Sequence, residues 1–234
     1  MNRVIHFKQT EDSKVFVTTD THLKHDRAFV WEIRGFKNSK EHTDAIIDGI
    51  NENARFTDKL IHFGDFCLNT DESGLNELLS RIQCQNIYLL WGNHNNPLWK
   101  IYQREVKEWL GYNDEGYNTL AGGTPHIDDE IEIYPFRYRN LIFVGNYLEF
   151  TVDGKFFVGS HYPIAIFNQM QNGTMHLCGH SHYNYEKSKA TNLDSKILDV
   201  GWDGHNKILT IEEVLAIMEK KGLQVVDHHG KKNV

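Results

Sequence analysis

The chain has 234 residues, of which 40% are hydrophobic and 24% are charged, and its formal net charge is −7 at pH 7. This composition is ordinary for a globular α/β protein with a substantial core. The acidic balance argues against broad electrostatic binding to nucleic acid or to an anionic membrane, although it leaves room for a local basic groove.

The apolar runs and the cysteines of the sequence indicate in which cellular compartment the protein is expected. The N-terminal residues lack the apolar stretch of a signal peptide, and no segment is apolar over the length of a membrane span. The cysteines Cys67, Cys84 and Cys178 are odd in number and lack metal-type pairing, so a disulfide framework is not expected. We therefore expect a cytoplasmic protein in a reducing environment.

The first half of the chain alternates strand and helix patterns. Short apolar runs predict strands over 14–20, 59–66 and 86–93. Apolar residues at helical spacing predict the helices that connect and follow them, over 41–55, 73–82 and 97–110. This β-α-β-α-β order predicts parallel strands that are joined by helical crossovers.

The second half is richer in short strands. They are predicted over 130–134, 140–146, 147–152, 155–161, 174–180 and 196–202. Asp153-Gly154 predicts a hairpin between two of them. A final helix is predicted over 210–222, where Thr210 and Glu213 can form a capping box.

The chain shows no repeat and no linker rich in Pro, Gly or Ser, which predicts a single domain over 1–224 and a polar tail over 225–234. The segment 111–139, rich in Gly, Asp and Tyr, has the least regular pattern. It fits either a surface insertion or a loop that covers a site.

Potential metal ligands follow the predicted strands. The first three strands end in Asp20-Thr21-His22, Gly64-Asp65 and Gly92-Asn93-His94. The carboxyl ends of strands in an open α/β sheet form its ligand-binding edge, so these side chains can converge. Two later strands are followed by further imidazoles, those of His161, His180 and His182.

The donor set is typical of a metal centre. Two carboxylates, one carboxamide and four imidazoles, with no thiolate, suit Mn²⁺, Fe or Zn²⁺ better than a soft metal or calcium. Each motif alone is more often an ordinary strand end or turn, and His62 and His176 are expected to be packed inside strands. The five motifs in order, each after an apolar run, favour two metals with one bridging carboxylate.

This ordered pattern resembles the calcineurin-like metallophosphoesterases, whose motifs are D-x-H, G-D, G-N-H-[D/E], a lone His and G-H-x-H. The resemblance covers about residues 15–216. It is strongest to the small single-domain enzymes of bacteria and phages, on the stretches Leu23-Lys24-His25, Arg34-Gly35-Phe36 and Asp199-Val200-Gly201-Trp202-Asp203.

The resemblance implies an α/β fold, a four-layer sandwich with two mixed β-sheets face to face and flanked by helices. It also implies a role for each motif. The first metal would be held by Asp20, His22 and His182, and Asp65 would bridge the two metals. The second metal would be held by Asn93, His161 and His180. His94 would be the catalytic residue that protonates the leaving oxygen.

The implied enzyme is a dinuclear metallophosphoesterase, a phosphatase or phosphodiesterase that hydrolyses a small-molecule or nucleotide ester by attack of a metal-bridging hydroxide. Mn²⁺ is the favoured ion, and Fe, Zn²⁺ or Ni²⁺ are alternatives. His25 and Arg34 are the implied substrate contacts, whereas Lys24 is equally well read as a solvated lysine. The usual acidic residue after the catalytic histidine is replaced by Asn95, which predicts a weaker proton donor.

Two rival functions stay open at this stage. Some relatives cut nucleic acid, so a DNA or RNA nuclease is an alternative function. It has weak support from the basic residues Lys100, Arg104, Lys107 and the run 137–139. A non-catalytic metal-binding scaffold is less favoured, because every expected ligand is present. The sequence does not decide the substrate, the preference for monoester or diester, or the oligomeric state.

Overall fold

The structure is a computed structural model that describes residues 4–94, 96–110, 136–188 and 195–224. The strands are β1 Ile5–Phe7, β2 Val15–Thr18, β3 Lys59–His62, β4 Asn86–Leu90, β5 Phe136–Tyr138, β6 Leu141–Gly145, β7 Tyr147–Val152, β8 Lys155–Ser160, β9 Met175–Cys178, β10 Ile197–Asp199 and β11 Leu209–Thr210. The helices are α1 Ala28–Trp31, α2 Ser39–Asn53, α3 Glu72–Arg81, α4 Asn96–Leu110, α5 Asn184–Lys187, α6 Trp202–His205 and α7 Ile211–Met218. A 3₁₀ turn spans Met170–Asn172.

The strands form two mixed sheets. The six-stranded sheet has the order β11-β2-β3-β4-β6-β5, in which β2, β3, β4 and β6 are parallel and both edge strands are antiparallel. The five-stranded sheet has the order β1-β7-β8-β9-β10, with one antiparallel pair, β7 and β8. The predicted parallel strands of the first half are therefore confirmed.

Alternation along β2 shows how the layers are built. Val15 and Val17 point into the core between the sheets, where they join Phe150 and Phe157 of the second sheet. Phe16 points the other way, into the core beneath α2, where Ile46 is buried. Each such apolar side chain contributes about 1.5–3 kcal/mol when it is fully buried.

The outer faces of both sheets are covered. Helices α2, α3 and α4 pack their apolar residues on the six-stranded sheet. On the five-stranded sheet, Val158, Cys178 and Ile197 pack against Phe167 and Met170 of the segment around the 3₁₀ turn. The predicted four-layer α/β sandwich is confirmed.

Two local predictions are confirmed and others need adjustment. Asp153 and Gly154 link β7 to β8 with φ angles of 49° and 80°, the left-handed pair that a tight hairpin requires. The capping box of Thr210 and Glu213 is formed, although α7 ends at Met218. The predicted strand 130–134 and the tail 225–234 lie outside the described residues.

The two consecutive strands predicted over 140–146 and 147–152 belong to different sheets. β6 belongs to the six-stranded sheet and β7 to the five-stranded sheet. The backbone turns at Gly145, which has a φ of 97°. Among the helices of the described ranges, none combines the length and apolarity needed to cross a membrane.

Candidate metal centre

The carboxyl ends of strands from both sheets meet at one edge of the sandwich. Asp20, Asp65 and Asn93 lie on the turns after β2, β3 and β4. These turns are close together because the three strands are parallel neighbours. Turns after β8 and β9 bring the imidazoles of the second sheet to the same place. The backbone N–H of His180 donates to Asp20 Oδ2 at 2.9 Å, and this hydrogen bond joins the two sheets at the site.

The backbone at this edge is unusual. Five of the candidate ligands have left-handed φ angles between 48° and 66°: Asp20, His22, Asp65, His180 and His182. Residues other than glycine adopt this region at a cost of about 1–3 kcal/mol each, and such strain gathers at functional sites. Gly92 shows how tightly the turns pack, because a Cβ there would lie 2.1 Å from Asp65 Oδ1.

One group of candidate ligands consists of Asp20, His22 and His182, whose donor atoms lie within 4.8 Å of one another. The Nε2 atom of His22 is 3.7 Å from Asp20 Oδ1. The rings of His22 and His182 are stacked with their centroids 5.1 Å apart. Asp20 and His22 are buried, whereas His182 is partly open to solvent. These three side chains can hold one cation.

A second group consists of Asp20, Asp65 and His161, again with donor atoms within 4.8 Å. Asp65 Oδ2 lies between the groups, 3.7 Å from His22 Nε2 and 3.5 Å from His161 Nε2. Asn93 Oδ1 lies 2.9 Å from His161 Nε2 and 3.1 Å from His180 Nδ1. All seven side chains named from the sequence are thus brought together.

The buried floor of the site has polar atoms that the described residues do not satisfy. Asp20 Oδ1 and both ring nitrogens of His22 are buried and have no hydrogen-bond partner there. A buried polar group without a partner costs about 1–3 kcal/mol, and several together call for an explanation. Carboxylate and imidazole donors around a common point fit divalent cations, which would satisfy these atoms.

Hydrogen bonds on the far side of two imidazoles orient the rings. His161 Nδ1 lies 3.0 Å from the carbonyl oxygen of Phe63, and His182 Nδ1 lies 2.8 Å from Asp203 Oδ2. Each Nδ1 donates in this arrangement, so in the neutral ring each Nε2 keeps its lone pair toward the site. Metal-binding histidines are commonly fixed in this way.

Neighbouring charged groups change the pKa values of Asp20 and His182. Burial opposes ionisation of Asp20, but His22, His161 and His182 outweigh it and hold the pKa of Asp20 below its ordinary value. The hydrogen bond from His182 to Asp203 raises the pKa of this histidine. Asp20 is therefore a carboxylate at neutral pH, the form that binds a cation.

His94 stands at the mouth of the site. Its backbone N–H donates to Asp65 Oδ1 at 2.8 Å, and its ring centroid is 5.8 Å from that of His22. The side chain is exposed. It can therefore reach a ligand that sits over the floor. Asn95, from which a weaker proton donor was predicted, lies outside the described residues.

His25 is buried beside the first group. Its Nδ1 accepts the backbone N–H of Arg27 at 3.1 Å, and its ring is edge-on to that of His22 with centroids 5.4 Å apart. Burial, helped by His22, lowers the pKa of His25 to about 4. The ring is therefore neutral at pH 7, and with Nδ1 accepting it carries its proton on Nε2. This position is compatible with the expected substrate contact.

Arg34 has a different place from the one expected. Its side chain is 2% exposed, and its N–H groups donate to both carboxylate oxygens of Asp203, to the carbonyls of Asp20 and Thr21, and to His42. A guanidinium has five N–H donors, so none is left for a phosphate. Arg34 is better described as a clamp that holds the Asp20 turn against Asp203. Lys24 pairs with Glu77 at 2.7 Å, away from the ligand cluster.

Comparison with known proteins agrees with this geometry. The sequence profile of the calcineurin-like phosphoesterases matches residues 13–184. The chain belongs to this family. A solved structure of a protein of unknown function from Aquifex aeolicus aligns with a TM-score of 0.56 and 16% identity, over 88% of this chain and 99% of that one, which shows a shared fold. No curated protein matches the sequence.

Two carboxylates of this calcineurin-like phosphoesterase were not assigned a role from the sequence. Asp203 holds the His182 ring, as described above. Asp199 accepts hydrogen bonds from Ser181 Oγ and from the backbone N–H of Tyr183, and so fixes the loop with the last two histidines. The Asp199–Asp203 stretch was part of the family pattern. The presence of two carboxylates in it was the signal from which a role at the site could have been inferred.

Proposed function

We propose that the chain is a metal-dependent phosphoesterase that hydrolyses a phosphate mono- or diester of a small molecule or nucleotide. The observation that carries this proposal is the buried pair of ligand groups that share Asp20 and have unsatisfied Asp20 and His22 atoms at their floor. Family membership adds the class of substrate, a phosphoester.

In this proposal two divalent cations bind at the floor. Asp20, His22 and His182 would hold the first, Asn93, His161 and His180 would hold the second, and Asp65 would contribute to both. The oxygen and nitrogen donors favour Mn²⁺, with Fe, Zn²⁺ or Ni²⁺ as alternatives. Bound there, the cations would act as Lewis acids that lower the pKa of water and neutralise charge on the phosphate.

The remaining roles belong to residues at the mouth. His94 is exposed above the floor, and its backbone is fixed by Asp65, so its imidazole can deliver a proton to the leaving oxygen. His25 offers a neutral N–H to a phosphate oxygen near the first cation. Arg34 and Asp203 position ligands and do not contact the substrate.

Two of the basic residues named for the nuclease alternative have partners within the fold. Arg104 pairs with Glu72 at 2.7 Å, and Arg137 donates to Asn86 and to the carbonyl of Gln85. Arg104 is therefore ion-paired, whereas Arg137 binds neutral acceptors and keeps its charge. A small organic phosphoester fits the acidic chain better than a polyanion does.

The test is hydrolysis of bis-p-nitrophenyl phosphate and p-nitrophenyl phosphate by metal-stripped protein before and after addition of Mn²⁺. We expect turnover that needs Mn²⁺ and that falls to background in Asp65→Ala. Asp12→Ala removes an exposed carboxylate in the loop before β2 and serves as the matched control. Mn²⁺ binding without turnover of either compound would contradict the proposal and favour a scaffold.

A further inference from the structure

Some exposed apolar side chains of the described residues lie on segments that leave the site. The large exposed hydrophobic residues are Phe29, Ile33, Phe56, Tyr162, Ile166 and Leu223. Four of the six lie on the segments that follow β2 and β8, two of the strands that deliver candidate ligands. Single exposed apolar residues are normal, so a side chain is informative here only if it also contacts the candidate ligands.

Tyr162 has the closest relation to the site. It follows His161 directly, and its ring centroid lies 4.4 Å from that of His180 and 5.1 Å from that of His161. The residue is nevertheless 51% exposed. Part of the ring therefore packs on two candidate ligands of the second cation, and the rest faces the solvent beside the place of the phosphate.

The loop that carries Tyr162 is held firmly. Ser160 Oγ donates to the carbonyl of Tyr162 at 2.6 Å, and the backbone N–H of Ile164 donates to the buried His176 Nε2 at 3.0 Å. Phe167, further along the loop, is buried against the five-stranded sheet. An aromatic ring that is already ordered loses little entropy when a ligand stacks on it, so an exposed ring on such a loop is suited to binding.

We propose that Tyr162 is a stacking platform for a planar group of the substrate. The phosphoesterase would then select esters in which a nucleobase or another aromatic ring lies close to the phosphate. This inference rests on the proposed function for the position of the phosphate. Aromatic stacking prefers a flat partner, whereas burial of apolar area alone does not distinguish a flat ring from a puckered one.

The test compares phenylphosphonate with cyclohexylphosphonate, which have the same charged group and similar apolar size but differ in planarity. Neither contains an ester bond, so binding to the Mn²⁺-loaded protein can be measured by calorimetry without turnover. We expect phenylphosphonate to bind about tenfold more tightly than its cyclohexyl analogue. The ratio of the two dissociation constants is the readout, because a general disturbance of the metal centre affects both ligands alike.

Three substitutions at one position separate the possible causes. Tyr162→Phe keeps the ring and should keep the ratio. Tyr162→Leu keeps apolar bulk without a plane and Tyr162→Ala removes both, so each should bring the ratio close to one. Phe56→Ala removes an exposed aromatic residue just before β3, at the opposite end of that strand from Asp65, and should leave the ratio unchanged.

The inference is overturned if Tyr162→Leu keeps the preference for the phenyl compound, or if the wild-type protein shows no preference or binds neither compound. The failure of the proposed function looks different. In that case the preference for phenylphosphonate would still be lost in Tyr162→Leu, but the protein would hydrolyse no phosphoester.

Discussion

At the scale of single residues, the site separates into a buried floor and an open rim. Asp20, His22, Asp65 and His161 are buried, whereas Asn93, His94 and His180 are exposed. The floor can therefore desolvate a cation on one side while the rim admits a ligand from solvent. The candidate acid, His94, lies on the rim, where a leaving group can depart.

His94→Asn tests the proton-transfer role. If His94 protonates the leaving oxygen, its loss should lower kcat by about 10²–10⁴-fold for a basic leaving group such as phenol. The loss should be much smaller for p-nitrophenol, which departs as the anion. The measurement is kcat for the phenyl and p-nitrophenyl esters of the same phosphate, with Mn²⁺ saturating. An equal loss for both esters would contradict a role as general acid.

Asp203→Asn tests the clamp behind the metal ligands. Asp203 accepts from His182 Nδ1 at 2.8 Å and from Arg34 at 2.6 Å, and its carboxylate increases the basicity of the ring. Removing the charge behind a metal-bound histidine typically lowers metal affinity by about 10–100-fold. We expect a loss of that size for one of two Mn²⁺ ions in calorimetry. Asp12→Asn is the exposed control, and unchanged affinity in Asp203→Asn would contradict the role.

The residue-level roles mark the limit of what the sequence predicted. The convergence of the donors after β2, β3 and β4 could be foreseen, because parallel strands end at one edge. The histidines of the other sheet were added to them only by the ordered family pattern. The contacts of Arg34 could not be foreseen, since an arginine at this position can face a phosphate or a buried carboxylate. Only the position of Asp203 next to its guanidinium decides between them.

At the scale of elements, periodicity identified individual strands better than their partners. The strong apolar runs of β2, β3 and β4 were predicted, and their parallel order followed from the helices between them. The runs that became β6 and β7 were also predicted, but as consecutive strands of unspecified pairing. Alternation in a strand fixes which side chains share a face and carries no information on which sheet the strand joins.

Short elements were missed for a physical reason. β1 has three residues, and α1, α5 and α6 have four each. Segments of this length show less than two periods of any pattern, so they are set by tertiary packing rather than by local propensity. The segment 111–139 was described only as irregular, and its last residues enter β5 at the edge of the six-stranded sheet.

At the scale of the whole molecule, the site joins the two sheets. Asp20, Asp65 and Asn93 come from the six-stranded sheet, and His161 and His180 come from the five-stranded sheet. A cation held by both sets bridges the halves of the sandwich. Binding to the folded state alone therefore adds directly to the free energy of unfolding.

Mn²⁺ should for this reason raise the melting temperature of the metal-stripped protein. At a hundredfold excess over Kd, one site adds about 2.7 kcal/mol. For a chain of this size that corresponds to a shift of about 5–10 °C. The measurement is calorimetric melting with and without Mn²⁺, and a chelator should reverse the shift.

The same melting experiment on Asp65→Asn distinguishes a role of this carboxylate in metal binding from a role in the fold. Asp20 and Asp65 are buried with donor atoms within 4.8 Å, so without a cation their charges repel one another. The substitution should leave the metal-stripped protein as stable as the wild type or more stable, while the shift caused by Mn²⁺ is lost. A metal-stripped Asp65→Asn protein that melts well below the wild type would instead mean that Asp65 serves the fold. In that case the carboxylate would stabilise the turn after β3 through the N–H of His94, with no need of a cation.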